Sequence, residues 1–463
     1  MTPILDHILE DAQERGLELD DAFYRAIEHV QDEAPFLLIT GRAGTGKSTL
    51  IHLLRGALED KANVAVVAPT GLAAIQIGGQ TIHSFCRLPP RPVELSDIRK
   101  LRNRSLYENL DVLIVDEISM VRADLLDGIE KFLRMNGPHR NRPFGGVRMI
   151  CVGDLFQLAP VVRDVERPFF DTHYASEWFF DALCLRDAVV QHLELEKVHR
   201  QEDIEDLTLL DALREGGPGA GAAIEGINQR CSLGFPDGID EAALEGRVTL
   251  TTRVNDAETR NRYQLRALAE TPRRYTGRTE GDLPPTRERL PAPMQLDLAV
   301  GAQVLFTRND PSQRWVNGTL GRVVNVGDES AEIEILWGPG TGDVHEVTEV
   351  TWESTAFEWN PGTGRIETRV VGKYSQLPLI LAWAITIHKS QGMTLDHMAI
   401  DLGRGAFAAG QLYVALSRCR RLDDVLLLRP IRETDLHVAE AVRQFAVALQ
   451  SGRLARPVQA SLL

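Results

Sequence analysis

Cysteine is scarce in this 463-residue chain: Cys86, Cys151, Cys184, Cys231 and Cys419, with no C-x-x-C pair among them. An odd, dispersed set argues against both a disulfide framework and a zinc site and leaves reduced core thiols. Long apolar runs are missing too. The longest, Leu377–Ile387, contains Pro378 and Trp383 and falls short of the roughly 20 residues that span a bilayer. It reads as a buried strand, and no membrane partner is expected. The opening stretch, MTPILDHILEDAQERG, carries acids where a signal peptide carries bases, so a cytoplasmic location is expected. No short repeat of fixed period is present. A basic excess is also absent, since the net charge is −15. That balance opposes a nucleic-acid partner, but only weakly, because binding follows local patches. Two basic clusters exist: Arg99, Lys100, Arg102 and Arg104, then Arg273, Arg274 and Arg278. By itself each reads as a solvated charged face.

What is present organises around Pro35–Leu50, PFLLITGRAGTGKSTL. The apolar run Phe36–Ile39 stops at a glycine loop that passes into a helix-forming segment from Lys47. Gly41 through Ser48 fill every fixed position of G-x-x-x-x-G-K-[ST]. Glycines let successive backbone N–H groups turn into one concavity suited to phosphate oxygens, and the following helix aims its positive end at the same place. Gly41, Ala43, Gly44, Thr45, Gly46, Lys47, Ser48 and Thr49 therefore form a candidate nucleotide phosphate site. Lys47 is expected on the β- and γ-phosphates and Ser48 on Mg²⁺.

The length predicts about three domains, and 43% apolar with 25% charged residues is ordinary globular composition. Residues 1–34 read as helix, with Leu5, Ile8, Leu9, Phe23, Ile27 and Val30 at helical spacing. Asn63–Ala68 is a second buried strand ending at Pro69-Thr70-Gly71, at the strand's carboxyl end, where α/β sheets place ligands. On local sequence His83, in TIHSF, reads as an interior histidine. Residues 86–109, broken by Pro89, Pro90 and Pro92, read as a surface insertion. Leu110–Val115 is a strand closed by Asp116 and Glu117. These acids suit a second nucleotide motif, Asp116 holding Mg²⁺ and Glu117 orienting the attacking water. Arg148–Val152 is the next strand, with Gln157 beyond its end and placed to sense the γ-phosphate, and Val189–Glu194 another.

Residues 202–305 open a second α/β unit, with a strand at Arg247–Thr252, a helix at Asn255–Leu268 and an exposed loop at 269–295. From Gly301 to about Ser375 the pattern is all-β, alternating in Ala331–Ile335 and Val347–Trp352, and predicts a small barrel. The second unit returns with a strand at Pro378–Ile387, then His388-Lys-Ser-Gln-Gly392, a strand at His397–Leu402 and a helix from Gln411. The tail from Leu454 is expected to fray.

Nine segments now stand in order: GRAGTGKST, APTGLAA, TIHSF, VDEISM, GDLFQLAPV, HRQ, WVNGTLGRV, AITIHKSQGMTL and QLYVALSRC. In these the chain resembles the Pif-type (petite integration frequency) DNA helicases of superfamily 1B, relatives of RecD and Dda, from about Phe36 to Arg420. Asp124–Arg134 followed by Phe144-Gly-Gly146 resembles a further family signature. The resemblance implies an α/β fold of two RecA-like P-loop lobes, each a parallel sheet flanked by helices. Residues 1–85 and 110–196 form the first lobe, 197–305 and 376–430 the second. The insertion at 86–109 becomes a strand-separating wedge, 306–375 an SH3-like β-barrel, and 431–463 a C-terminal helix and tail. ATP and Mg²⁺ are the implied cofactors, Mg²⁺ on Ser48 and Asp116. Lys47, Glu117, Gln157 and the arginine fingers Arg200 and Arg418 are the implied catalytic set, with Gly392 near the γ-phosphate. Single-stranded and forked DNA are the implied partners, on Pro69, Thr70, Gly71, His83, Asn255, Asn317, Thr319, His388, Ser390 and Gln391. A monomer is expected.

Two positions depart from the family pattern. Leu19–Phe23 has no adenine-reading glutamine, which leaves ATP-over-GTP selectivity open, and Ala159 stands where a second proline is common. The implied activity is ATP-driven 5′-to-3′ unwinding of DNA in genome maintenance. A RecD-like subunit of a larger repair complex and an ATP-dependent DNA clamp or annealing protein are the competing readings. A small-molecule kinase has no use for a second lobe carrying Arg418.

Overall fold

The computed structural model describes residues 12, 19, 21–30, 35–59, 61–186, 188, 190–201, 203–233, 241–281, 290–338 and 340–451. The expected helical positions Leu5, Ile8 and Leu9 and the tail from Leu454 lie outside them. Helix α1 (Asp21–Val30) buries Phe23 and Ile27, as their spacing predicts. Strand β1 (Phe36–Gly41) is buried along its whole length and runs into helix α2 (Lys47–Glu59). Then follow β2 (Val64–Ala68), α3 (Gly71–Gln76), β3 (Gln80–Thr81), α4 (Ile82–Phe85), α5 (Ser105–Glu108), β4 (Val112–Val115), α6 (Ala123–Asn136), β5 (Arg148–Gly153), α7 (Arg167–His173) and β6 (Val190–Leu195). The six strands form one parallel sheet in the order β3-β2-β4-β5-β1-β6. Successive residues of β1 serve opposite faces: Leu37 and Ile39 pack with α1 and α2, Phe36 and Leu38 with α6.

Helix α6 explains the acidic signature that begins at Asp124. Asp124 accepts from the Val93 N–H at 2.7 Å and from the Arg122 guanidinium at 2.9 Å. Asp127 accepts from Tyr174 Oη and from the backbone N–H groups of Leu183 and Cys184. Asn136 holds Leu101 N–H and Arg99 C=O. Segment 86–109 is therefore no loose insertion, since Leu88, Val93, Ile98 and Tyr107 are buried in the first lobe's core. Its exposed face carries Arg99, Lys100 and Arg102, while Arg104 pairs with Glu108 at 2.7 Å. Beyond α6, Gly145 has φ +64°, and a Cβ there would meet Leu133 O at 2.1 Å, so only glycine closes this turn.

Helices α8 (Ile204–Glu215) and α9 (Ala220–Arg230) open the second lobe, followed by β7 (Ser232–Leu233), β8 (Val248–Thr251) and α10 (Val254–Ala267). The stretch expected as exposed loop instead holds β9 (Arg273–Thr276) and β10 (Arg278–Gly281). Their side chains are polar, with Tyr275 the buried one, so no alternation betrays them. Arg273, Arg274 and Arg278 are neutralised there by Asp328, Asp297 and Glu349. Next come β11 (Gln295–Leu298), β12 (Gln303–Phe306), β13 (Leu320–Val326), β14 (Ser330–Ile335), β15 (Val344–Thr348), β16 (Val350–Asn360), β17 (Arg365–Gln376) and β18 (Leu379–Leu381).

Five of these strands make an antiparallel sheet, β15-β14-β13-β12-β18, where the pattern predicts a barrel. Among the described residues no ladder joins its two edges. The rest of the expected barrel is the hairpin β16–β17, which pairs with β10 and extends to the first lobe. There Phe357 meets the Phe85 ring at 6.0 Å, and Asn63 Oδ1 accepts from Ile366 N–H at 3.1 Å.

The single strand expected at Pro378–Ile387 is two, because the chain changes sheets across Ala382 and Trp383. β18 ends the antiparallel sheet, and β19 (Ala384–Thr386) joins the second lobe. β20 (Met398–Asp401), α11 (Gln411–Leu416) and β21 (Val425–Leu427) complete a parallel sheet ordered β19-β8-β20-β21-β7. Helix α12 (Glu440–Gln450) crosses back to the first lobe, where Phe445 stacks on Phe180 at 4.3 Å. Among the described residues no helix is long and apolar enough to cross a membrane.

Candidate functional site

The carboxyl ends of both parallel sheets face one cleft. From the first lobe, β1 delivers the glycine loop. Gly44 and Gly46 each have φ +81°, a region that glycine enters freely. A Cβ on Gly44 would lie 2.7 Å from Arg200 Cβ, and one on Gly46 would lie 3.0 Å from the Phe23 ring. Lys47 Nζ donates to Gly41 O and Arg42 O, both at 2.7 Å. Burial pushes its ammonium below the ordinary value against the opposing pull of Asp154, Glu117 and Asp116.

Strand β4 delivers the acids. Asp116 accepts from the Glu117 N–H at 2.8 Å. Glu117 itself adopts φ +50° and ψ 47°, a conformation that a side chain enters at a cost and that concentrates at working sites. Burial raises the Asp116 carboxyl to about 6. Burial, reinforced by the neighbouring Asp116 charge, raises Glu117 to about 7. A carboxyl poised near neutrality suits general-base work.

A cavity of about 340 Å³ brings these groups to the second lobe. Its walls hold Ala43, Gly44, Gly46, Lys47, Ser48, Thr49, Glu117, Gln157, Arg200, Gly392 and Arg418, all expected from the sequence, together with His199, Thr394 and Arg420, which were not. Gly41, Thr45 and Asp116 are buried and are not part of that wall. Arg418 is buried, Nε on Val414 O and Nη2 on Ser417 Oγ. Arg200 Nη1 reaches Ser417 O at 2.8 Å, and burial with the nearby Arg418 charge lowers its guanidinium to about 9. Two cations crowded in a cavity, beside acids whose charged forms burial disfavours, make a receptor for a multiply charged anion. Ser48 and Asp116 add hard oxygen donors. Among the described residues no group of three or more His, Cys, Asp or Glu side chains could hold a metal by itself.

A buried network behind the cavity was invisible in the sequence. Asp154, at the end of β5, accepts from the Arg214 guanidinium of α8 at 3.1 Å, from Gln157 Nε2 at 3.2 Å and from Tyr413 Oη of α11 at 3.2 Å. Tyr413 Oη in turn accepts from Ala43 N–H of the glycine loop at 3.1 Å. Arg214 also covers the Phe156 ring at 4.5 Å. Burial works to raise the Asp154 carboxyl, but Arg214, Lys47 and the Phe156 N–H together hold it below its ordinary value.

The residues expected on a nucleic-acid track divide. Pro69, Thr70 and Gly71 sit at the carboxyl end of β2, where Thr70 Oγ1 caps α3 by accepting from Ala73 N–H. His83 is on α4, and Asn255 is exposed on the first turn of α10. His388 follows β19, half-buried, with burial lowering its imidazole. Two placements correct the expectation. Ser390 is fully buried, its hydroxyl donated to Ile387 O at 2.8 Å, because it closes the turn after β19. Gln391 points to the cavity, donating to Glu117 Oε2 at 3.1 Å and Gln157 Oε1 at 3.4 Å. Asn317 and Thr319 flank Gly318, where a Cβ would come 3.1 Å from Thr394 O, so this loop packs beside the cavity wall.

Known proteins carry the same architecture. The family model described as PIF1-like helicase matches residues 18–214. The human ATP-dependent DNA helicase PIF1 is 36% identical over 408 residues, covering 85% of this chain and 58% of that protein. The chain thus spans about three fifths of the length of the curated relatives it matches. The crystal structure of Bacteroides sp Pif1 with ADP-AlF4 is 30% identical, covers 94% of this chain and 98% of its own, and superposes with a TM-score of 0.82. A Bacteroides Pif1 bound to single-stranded DNA, at equal coverage, superposes with a TM-score of 0.65. With the nine motifs in order and the cavity they line, these likenesses place the chain in the Pif1-like helicase family.

Proposed function

We propose that the chain is an ATP-driven DNA helicase that moves 5′-to-3′ along single-stranded DNA and opens duplex DNA at forks in the service of genome maintenance. The observation that carries this reading is the cavity itself: the glycine loop and Glu117 of one lobe face Arg200 and Arg418 of the other across it. Both halves belong to one chain, so a monomer suffices for hydrolysis.

In this reading Lys47 and the loop N–H groups hold the β- and γ-phosphates of ATP. Ser48 and Asp116 fit Mg²⁺, which supplies charge neutralisation at the transferring phosphoryl group. Glu117 takes the proton of the attacking water, and Gln391, itself held by Gln157 Oε1, holds the Glu117 carboxylate in place. Arg200 and Arg418 stabilise the developing charge as the lobes close. Pro69, Thr70, Gly71, His83, Asn255 and His388 line the DNA track, so each closure displaces one lobe's DNA contacts relative to the other's. The face of Arg99, Lys100 and Arg102 meets the duplex as a wedge. ATP hydrolysis measured with and without oligo-thymidylate tests the reading. Strong stimulation in the wild type and its collapse in Lys47→Ala support it. Equal hydrolysis in both proteins overturns it.

A further inference from the structure

The loop between β20 and α11, residues 402–410, presents a large aromatic side chain to solvent on a backbone pinned at several points. Gly403 N–H donates to Asp401 Oδ1 at 2.8 Å, and Arg429 donates to Gly403 O at 3.2 Å. Gly405 N–H reaches Leu402 O at 2.8 Å. His437 Nε2 is 2.8 Å from Ala406 O, and Gly410 N–H donates to His437 O at 3.0 Å. Gln411, fully buried, accepts from Phe407 N–H at 3.0 Å and donates to Thr252 O at 3.4 Å. Held on all these sides, Ala406 is buried while Phe407 remains 56% exposed. The guanidinium of Arg253 lies 5.4 Å from the centre of the Phe407 ring.

Topology sets this pair beside the proposed DNA track. Strands β19, β8 and β20 are parallel neighbours, with Thr386 and Asp401 both in register with Thr251. Their carboxyl ends therefore form one rim. His388 stands two residues past β19, Asn255 four past β8 and Phe407 six past β20. Arg253 and Val254, between β8 and Asn255, are exposed, and so is Arg404 on the Phe407 loop.

We propose that Phe407, backed by Arg253, is a stacking platform for one base of the single strand, on the same rim as Asn255 and His388. An exposed ring is offered to a base face without regard to sequence, and Arg253 and Arg404 supply the positive charge that the flanking phosphates require. Gln411 and His437 hold the backbone beneath the ring in place, so little ordering of the loop accompanies binding. The proposal rests on the reading of the chain as a single-strand DNA translocase and names a contact of that track.

The test measures binding of a fluorescent oligo-thymidylate to the full chain, with Phe407→Ala and Phe407→Trp beside the wild type. Alanine should weaken binding by roughly five- to a hundredfold, and tryptophan should restore it. The slope of affinity against salt should stay as in the wild type, because the ring neutralises no phosphate. Wild-type affinity in Phe407→Ala overturns the platform, as does a loss that Phe407→Trp fails to restore, which would mark a disturbed loop. Failure of the wild-type chain to bind the oligonucleotide would instead sink the helicase reading.

Discussion

The pair Asp154–Arg214 ties the two lobes together beneath the cavity, and removing its carboxylate has a calculable consequence. The side chains are 0% and 5% exposed, and Nη2 lies 3.1 Å from Oδ1. At an effective dielectric near 20, unit charges at 3.1 Å attract by ~5 kcal/mol. Breaking a buried pair from one side costs about 3–5 kcal/mol, mostly by leaving the other charge uncompensated. Asp154→Ala should therefore destabilise the protein by that amount, and Arg214→Met by less, because a stranded carboxyl can take up a proton. In the double variant neither charge remains, and its loss should fall short of the sum of the two single losses by about 2–3 kcal/mol. Urea denaturation of the four proteins, followed by circular dichroism, measures this coupling. The acid side has a sign as well. Asp154 ionises below its ordinary value when folded, so its contribution is complete above the unfolded carboxyl pKa of about 3.9 and disappears as pH falls through the lower folded value. Losses that add within ~0.5 kcal/mol would refute the clamp.

Three further outcomes follow from the cavity and the basic face. Arg418→Ala should lower ATP turnover by about 10³–10⁵-fold while nucleotide binding persists, as single-turnover kinetics and equilibrium binding would show; unchanged turnover would exclude it as a finger. Turnover should rise with pH through about 7 as Glu117 ionises, and Glu117→Gln should remove that limb. The same raised value means that Glu117 favours folding below the unfolded pKa near ~4.3 and loses that contribution as pH climbs through about 7. Replacing Arg99, Lys100, Arg102 and Arg104 with alanine should leave DNA-saturated hydrolysis in place and reduce fork unwinding. Equal loss of both activities would place the cluster on the main track instead of at the fork.

Residues whose chemistry depends on near neighbours were legible in the sequence. The phosphate loop, the Asp116–Glu117 strand end and Gln157 are read within a strand and a turn, and the structure gathers them as expected. Arg200 and Arg418 entered only through resemblance, because nothing local says that residues 218 positions apart share a wall. Asp154, Arg214 and Tyr413 escaped altogether. Each is an ordinary residue in its own segment, and only the approach of the lobes turns them into a network. Ser390 and Gln391 show the opposite failure. Motif order placed both near DNA, but the tight turn after β19 sends one hydroxyl inward and one amide to Glu117. Alternation draws the hairpin β16–β17 into a barrel, because it reports a strand and not the partner that strand finds. Gln391 offers the signal that was available: an amide adjoining the glycine expected near the γ-phosphate is as close to that cavity as to any strand of DNA.

Directional strand displacement tests the central claim most directly. Two duplexes of identical sequence, one with a 5′ single-stranded tail and one with a 3′ tail, are incubated with the chain and ATP, with Lys47→Ala as control. The account predicts that the 5′-tailed duplex is unwound, that the 3′-tailed duplex stays intact, and that the variant opens neither. DNA-stimulated hydrolysis without displacement of either duplex would contradict it.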